Sequence, residues 1–182
     1  MDTLGPRIAA ALRRERERAD LSVSELARRA NVSKATISQL EGGAGNPSVE
    51  TLWAIATALG VPFSVFVEDR REGPQLIRAT DHPGIRSAEA PYEALLLAAG
   101  APQARSDLYL LRAEPGTPRR SLPHSAGTTE HLVIVSGRAH AGPADAPFDL
   151  RPGDYLRYAG DEPHVFEALE PGTAAVLVSE VR

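Results

Sequence analysis

Residues 21–43, LSVSELARRANVSKATISQLEGG, contain side chains that can form hydrogen bonds with the edges of DNA bases. The second half of this stretch is predicted to be a short helix with an apolar inner face. Its outer face carries short-armed, mostly polar side chains: Lys34, Ala35, Ser38 and Gln39. A helix that only had to be soluble would more often carry Glu and Lys pairs there, whereas a helix in the major groove needs groups that meet base edges. The pattern therefore indicates a DNA-reading helix.

Two helices joined by a tight turn are predicted to position this face. Ser22 and Glu25 have the spacing of a capping box, so the first helix is expected to begin at Val23. Asn31 tolerates the left-handed backbone that ends this helix, and Ser33 caps the second one. The predicted buried residues of the pair are Val23, Leu26, Ala27, Ala30, Ile37 and Leu40.

The sequence ELARRANVSKATISQLEGG, followed by NPSVETLWAIATALGVP, resembles the helix-turn-helix of the phage repressor-like, Xre-type regulators over roughly residues 7–66. The resemblance implies a five-helix domain. Val23 stands where many relatives carry a glutamine that touches phosphate, so weaker contacts are expected from the first helix of the pair. The alternative is a helix-turn-helix kept only for packing or dimerisation. The residues assigned to DNA contact are Ser33, Lys34, Ala35, Thr36, Ser38 and Gln39.

A charged run, RRERER, lies in a first helix predicted from Gly5 to Arg18. Arg16 matches a family arginine that reaches the glutamate ending the recognition helix, here Glu41. The resemblance therefore implies a partly buried, purely structural ion pair, in which loss of one partner costs about 3 to 5 kcal/mol. The other charges of the run are predicted to be exposed: Arg14, Glu15, Glu17 and Arg18.

Two further helices are predicted after the recognition helix. Ser48 caps the first, and Gly60 ends it. The second is short, begins at Pro62 and closes the core with two phenylalanines. Trp53 falls off the buried stripe, so we expect it to pack partly in the core or to contact a partner subunit or a second domain.

Composition limits the possible classes of function. The 182 residues suffice for a small helical domain and a second core. The chain has no Cys, which excludes a disulfide framework and a thiolate metal site. No long apolar run or signal peptide is evident, so we expect a cytoplasmic protein without a membrane segment. The net charge is -4 and the acidic excess lies after Arg70, so non-specific DNA affinity should be modest.

The composition changes at residues 68–74, EDRREGP, which predict a linker between a helix-turn-helix domain over 1–67 and a second domain over 75–182. Beyond the linker, short segments rich in Leu, Val and Tyr alternate with turn residues. This pattern predicts an all-β sandwich or barrel. The predicted strands span residues 76–79, 92–97, 108–113, 131–136, 155–158, 164–168 and 174–181.

Residues 115–137, PGTPRRSLPHSAGTTEHLVIVSG, and residues 150–168, LRPGDYLRYAGDEPHVFEA, resemble the two sequence motifs of the cupin barrel, a double-stranded β-helix. The resemblance assigns ligand positions to His124, Glu130 and His164, while Ala126 replaces a second histidine of the first motif. Two imidazoles and a carboxylate match the facial triad of iron(II), and would also suit Mn, Ni or Zn. Alternatively, the histidines donate hydrogen bonds to an organic anion or are relics of a metal-binding ancestor.

Other polar residues of this domain are assigned by strand alternation. His131 follows Glu130 and is expected to face the opposite side of the sheet. His82 and His140 have no partner spacing and are predicted to lie at the surface. Three residues of one predicted strand are candidates to line the barrel, where an arginine would favour an acidic effector: Arg105, Tyr109 and Arg112.

The two resemblances together predict a repressor-like, sequence-specific transcriptional regulator. A small molecule bound in the cupin barrel, with or without a divalent metal, would modulate its operator affinity. We expect a homodimer on an inverted repeat. The alternative is a non-haem-iron cupin enzyme of the phosphonate epoxidase type, which has the same domain order. No general acid or base is evident beside the triad, so no catalytic residue is assigned. A protein-binding module with neither activity has no positive support.

Overall fold

Three serines begin three of the helices, because each accepts a hydrogen bond from the backbone N–H three residues later. The structure, a computed structural model, describes residues 4–68, 76–78, 84–100 and 106–181. The chain divides into two compact units, Met1–Arg70 and Arg71–Arg182. The first unit contains α1 (Leu4–Arg18), α2 (Val23–Arg29), α3 (Lys34–Glu41), α4 (Val49–Leu59) and α5 (Ser64–Val67).

The helical unit has one apolar core. Asn31, at a φ of 52°, ends α2 in the left-handed region, and Gly60 does the same for α4 at a φ of 66°. The predicted five-helix domain is confirmed. Each fully buried aliphatic or aromatic side chain contributes roughly 1.5 to 3 kcal/mol. The largest buried side chains are Ile8, Leu12, Leu26, Ile37, Leu52, Ile55, Phe63 and Phe66.

Three positions in this unit refine the sequence-based expectations. The prediction that Glu15 is exposed is wrong, because it lies on the same stripe of α1 as Leu12 and is only 8% exposed. Its carboxylate accepts hydrogen bonds from Arg14 and Arg18 instead. Val23 is half-buried rather than buried. Trp53 is also half-buried and packs on Phe63, with 4.9 Å between ring centroids.

The second unit consists of antiparallel strands in two sheets. Its strands are β1 (Ile85–Arg86), β2 (Tyr92–Ala98), β3 (Ser106–Ala113), β4 (Arg119–Ser121), β5 (Thr128–Ser136), β6 (Ala139–Pro143), β7 (Phe148–Leu150), β8 (Tyr155–Ala159), β9 (His164–Ala168) and β10 (Thr173–Val181). One sheet has the order β1-β2-β3-β10-β5-β8, and the other has the order β4-β9-β6-β7. The predicted all-β fold class is confirmed.

Strand positions were predicted less well than the fold class. Residues 76–78 form no strand, and Ala79 lies outside the described residues. Four observed strands were not predicted: β1, β4, β6 and β7. They are short, and β6 contains Gly142 and Pro143, which are turn signals in a sequence. No helix among the described residues is long and apolar enough to cross a membrane.

Candidate functional site: the polar face of helix α3 and a His-Glu-His cluster

Helix α3 presents its polar face to solvent. Its apolar side chains, Ile37 and Leu40, are buried in the helical core. Thr36 is half-buried, and its hydroxyl lies 2.8 Å from that of Ser33, so it takes part in the N-cap. The other residues assigned to DNA contact are all exposed: Ser33, Lys34, Ala35, Ser38 and Gln39.

An ion pair fixes the end of α3 against α1. The Arg16 Nε atom donates to Glu41 Oε1 at 2.6 Å, and Nη2 donates to Oε2 at 3.1 Å. Nη1 donates to the carbonyl of Leu21, in the turn before α2. The two side chains are 14% and 8% exposed. These bonds connect α1, the turn before α2 and the end of α3, and so fix the orientation of α3.

Arg13 of α1 and Arg28 and Arg29 of α2 each contact a glutamate. Arg28 and Arg29 both bind the carboxylate of Glu25, at 2.7 and 2.8 Å. Their hydrogen bonds lower the pKa of Glu25 to about 2. A phosphate contact by either arginine must therefore compete with an existing exposed ion pair. Arg13 donates to the backbone carbonyl of Glu41 at 3.5 Å, and its Nε lies 3.9 Å from the Glu41 carboxylate.

In the β-unit, three separate segments bring together the histidines and glutamate of the two motifs. His124 precedes β5 and donates its backbone N–H to the carbonyl of Gly160. Glu130 lies within β5, and His164 begins β9. All three side chains are buried, and their ligand atoms lie within 4.8 Å of one another. Nε2 of His124 is 3.4 Å from Glu130 Oε1, and Nε2 of His164 is 3.5 Å from Oε2.

The hydrogen bonds around His164 determine which ring nitrogen is free. Nδ1 lies 2.8 Å from the carbonyl of Glu162, which can only accept, so Nδ1 carries the proton. In the neutral ring, Nε2 then carries a lone pair, which faces a carboxylate oxygen of Glu130. Burial lowers the pKa of His164 despite the opposing charge of Glu130. A neutral imidazole and a carboxylate that face each other are acceptors for one shared cation.

Glu130 itself is held in the charged form. Burial alone raises the pKa of Glu130, but the hydrogen bond with His124 and the charges of both histidines, once protonated, lower it to about 2. Two buried imidazoles and an ionised carboxylate within a few ångströms form a donor set that fits a divalent cation.

Two residues that shape this centre were missed in the sequence. Tyr158 donates a 2.5 Å hydrogen bond to Glu130 Oε2, and its ring lies 5.5 Å from that of His164. Burial and the charge of Glu130 raise the pKa of Tyr158 well above its usual value, so the phenol keeps its proton. Gly160 packs so closely that an added Cβ would lie 3.0 Å from Glu130 Cγ and 2.9 Å from Thr128 Cγ2. The alternation of side chains along β8 could have identified Tyr158, because Tyr158 pairs with Glu130 and therefore lies on the same face of the sheet.

The two described candidates on β3, Tyr109 and Arg112, lie on opposite faces of the sheet. Tyr109 faces the interior, where its hydroxyl donates to Asp107 at 3.1 Å. Arg112 faces the other side of the sheet, so the expectation that it lines the barrel is wrong for this residue. It lies 3.6 Å from the carboxylate of Glu93. Arg105 is outside the described residues.

A buried arginine that was not singled out in the sequence lies near the centre. Arg119 of β4 is only 5% exposed. It pairs with Phe166, two residues along β9 from His164, so the Arg119 and His164 side chains both face the interior. Its charge contributes to the lowered pKa of His164, after burial.

The remaining histidines lie away from the centre. His131 is on the opposite face of β5, where Nδ1 lies 2.8 Å from the Tyr155 hydroxyl. His140 is half-exposed, with Nδ1 3.6 Å from the Glu167 carboxylate. Ala126 is exposed in the turn before β5, and His82 lies outside the described residues.

Comparison with known proteins finds a family match for the helical unit and relatives that cover most of the chain. Residues 12–66 match the helix-turn-helix family HTH_3. Over 167 residues the chain is 29% identical to the HTH-type transcriptional regulator SutR of Escherichia coli (strain K12), covering 91% of this chain and 89% of SutR. It is 42% identical over 65 residues to the Immunity repressor protein of Bacillus phage phi105, covering 36% of this chain and 42% of that protein.

A solved structure of an HTH_3 family transcriptional regulator from Vibrio cholerae shares the fold. Its TM-score is 0.78 at 23% identity, with 97% of this chain and 96% of that chain covered. The first unit thus matches the helix-turn-helix family HTH_3, and the β-unit has two antiparallel sheets, as expected for the barrel that its two motifs resemble.

Proposed function

We propose that this chain, which joins an Xre-type helix-turn-helix domain to a cupin domain, is a cytoplasmic regulator of transcription. In this proposal residues 1–67 read operator DNA and residues 75–182 bind a small effector. The observation that carries the proposal is the exposed polar face of α3, held in place by the Arg16–Glu41 pair. A helix fixed by a buried ion pair, with groove-compatible residues turned outward, is suited to recognition of bases.

The two long side chains of α3 have the reach for direct base recognition. Lys34 lies in the first turn of α3, and Gln39 lies on the same exposed face further along the helix. In our proposal Lys34 binds guanine O6 and N7, and Gln39 binds adenine, each contributing roughly 1 to 3 kcal/mol of discrimination. Ser33, Ala35, Thr36 and Ser38 provide shorter contacts to phosphate or to thymine methyl groups.

One α3 helix reads only a few base pairs. Useful operator affinity therefore requires two copies of the domain, and a homodimer matches an inverted repeat with half-sites about one helical turn apart. The net charge of -4 supports this dependence on specific contacts, since attraction to phosphate alone would be modest.

For the cupin domain, we propose that His124, Glu130 and His164 hold a divalent metal, with Fe, Mn, Ni and Zn as the candidates. The support is the pair of facing acceptors, His164 Nε2 and Glu130 Oε2. A metal held by three protein ligands retains open positions and supplies a Lewis acid for a chelating molecule. The residues of the chain bury the site, orient the imidazoles and keep the carboxylate ionised.

The proposed effector is a small anion. Arg119 supports this, because it places a buried positive charge beside His164. Tyr109 of β3 and Arg105 are the candidates for further contacts with the effector. An effector changes operator affinity only if it binds one arrangement of the two DNA-reading units more tightly than another. The expected change is about 1 to 3 kcal/mol, and operator DNA must alter effector affinity by the same factor.

Elemental analysis and operator binding test this proposal together. Untagged protein is analysed for metal, and an operator is then selected from a random pool of duplex DNA. Operator affinity is measured for wild type and His164→Ala across a panel of small acidic metabolites. Metal well below stoichiometry contradicts the metal part, and failure to enrich any sequence contradicts the regulator.

The alternative function is an iron-dependent epoxidase, which the same His-Glu-His set could support. Oxygen-dependent epoxidation of a hydroxyalkylphosphonate by the iron(II)-loaded protein would favour it. Genome context also separates the two: a divergent adjacent operon favours a regulator, and a phosphonate cluster favours an enzyme.

A further inference from the structure

The outward face of the six-stranded sheet is unusually apolar. Antiparallel sheets with one face to solvent normally carry polar side chains on that face. Here an apolar row crosses four neighbouring strands, β3, β10, β5 and β8, in register: Leu110, Val176, Val133 and Tyr155. The alternate positions on β3, β10 and β5 are buried and form the core. The row therefore belongs to the surface of the barrel.

Several side chains of this face are exposed. Val133 is 37% exposed, Val135 is 55% exposed and Tyr155 is 58% exposed. Leu108 and Val178 lie beside the row, one rung further along β3 and β10. A contiguous apolar patch of this kind on a folded domain marks an interaction surface. We call these residues, together with Leu110 and Val176, the outer patch.

The polar groups at the edge of the outer patch bind one another. His131 Nδ1 lies 2.8 Å from the Tyr155 hydroxyl, and Nε2 lies 3.5 Å from the Glu180 carboxylate. Arg157 lies opposite His131 in the register of β5 and β8. The edge thus carries both signs of charge, so two copies of the face can meet without opposing only like charges.

The face is somewhat smaller than one half of a standard interface. Strands lie about 4.8 Å apart and residues rise about 3.3 Å, so four strands and the length of β5 span roughly 20 Å by 30 Å. The resulting area of about 600 Å² approaches the roughly 800 Å² that each partner buries in a standard interface.

We propose that the outer patch pairs with the same patch of a second copy of this chain, around a two-fold axis. A closed dimer of this kind uses the same surface on both subunits. The choice of a second copy rests in part on the proposed function, because an inverted-repeat operator requires two DNA-reading domains. It rests independently on the apolar row, the mixed charges and the area of the face.

Sedimentation of the full chain tests whether the outer patch forms a dimer interface. Wild type should be a dimer at micromolar concentration, whereas Val133→Glu or Val135→Glu should raise the dimer dissociation constant at least 100-fold. Phe148→Glu is the control, since Phe148 is 52% exposed but lies in the other sheet. Circular dichroism verifies that each variant is folded. A monomeric wild type, or glutamate variants that dimerise like wild type, would overturn the proposal.

The absence of Cys from the chain allows a second test that introduces no charge into the interface. Single-cysteine variants Val133→Cys, Val135→Cys and Tyr155→Cys are oxidised under identical conditions, with Phe148→Cys as control. At least one position in the outer patch should form a disulfide-linked dimer in high yield, while the control stays at background. Three variants at background yield would contradict the pairing.

The outcomes separate this interface from the regulatory function. Dimers that depend on Val133 but bind no DNA specifically support the interface and contradict the regulator. Specific DNA binding by Val133→Glu with wild-type dimerisation contradicts only the interface.

Discussion

The hydroxyl of Tyr158 donates a 2.5 Å hydrogen bond to the Glu130 oxygen that also lies 3.5 Å from His164 Nε2. The tyrosine thereby orients the carboxylate and occupies one of its lone pairs. Such outer-shell hydrogen bonds set the position and basicity of metal ligands. The geometry of the centre therefore depends on a residue that need not touch the metal.

Tyr158→Phe should weaken metal binding by about 10- to 100-fold without unfolding the domain, because only the orienting hydrogen bond is lost. Titration of metal-free protein with Zn²⁺ or Co²⁺ measures this change. Tyr155→Phe is a matched control on the same strand, since Tyr155 faces the other side of the sheet. Equal metal affinity of wild type and Tyr158→Phe would contradict the assigned role.

Acid should destabilise the metal-free β-domain in two steps. The pKa of His164 is lowered by burial from 6.5, so the unfolded chain takes up a proton that the folded chain resists as pH falls below about 6.5. The pKa of Glu130 is lowered from 4.5 to about 2, so its contribution is present above pH 4.5 and is lost as pH falls towards 2.

Thermal unfolding with a chelator between pH 7.5 and 5.5 measures the first step. His164→Gln removes the titrating group, so its melting temperature should depend less on pH than that of wild type. Identical pH slopes for the two proteins would show that His164 contributes nothing to this dependence.

The Arg16–Glu41 pair should behave as a unit in a double-mutant cycle. Either single alanine substitution strands a largely buried charge and should cost about 3 to 5 kcal/mol of the free energy of unfolding of the helical domain. The double substitution should be no worse than the poorer single one, because neither charge then lacks a partner. Chemical denaturation of the four proteins tests this, and strictly additive losses would refute the coupling.

The helical domain could be predicted closely because its signals are local. Capping serines, Asn31 and Gly60 mark helix ends within a few residues, and the structure has the corresponding hydrogen bonds and dihedral angles. Burial of Glu15 was missed because a charged run suggested a solvated face. Glu15 is buried because it lies seven residues after Ile8, on the same buried stripe of α1.

The β-domain was harder to predict in detail because its partners are distant in sequence. The motif resemblance named His124, Glu130 and His164, but Tyr158 became visible only when β8 was placed beside β5. The same applies to Gly160, whose missing side chain leaves room for Glu130. Arg112 was assigned to the barrel interior because the face of β3 depends on its register with β10.

Base reading by α3 is tested by comparing binding to a selected operator with binding to random duplex DNA at fixed salt. Lys34→Ala and Gln39→Ala should each weaken operator binding by about 5- to 150-fold, while affinity for random DNA changes far less. Thr57→Ala, an exposed change on α4, should leave both affinities unchanged. Equal losses on operator and random DNA would mean that Lys34 and Gln39 contact only phosphate, and would contradict base reading by α3.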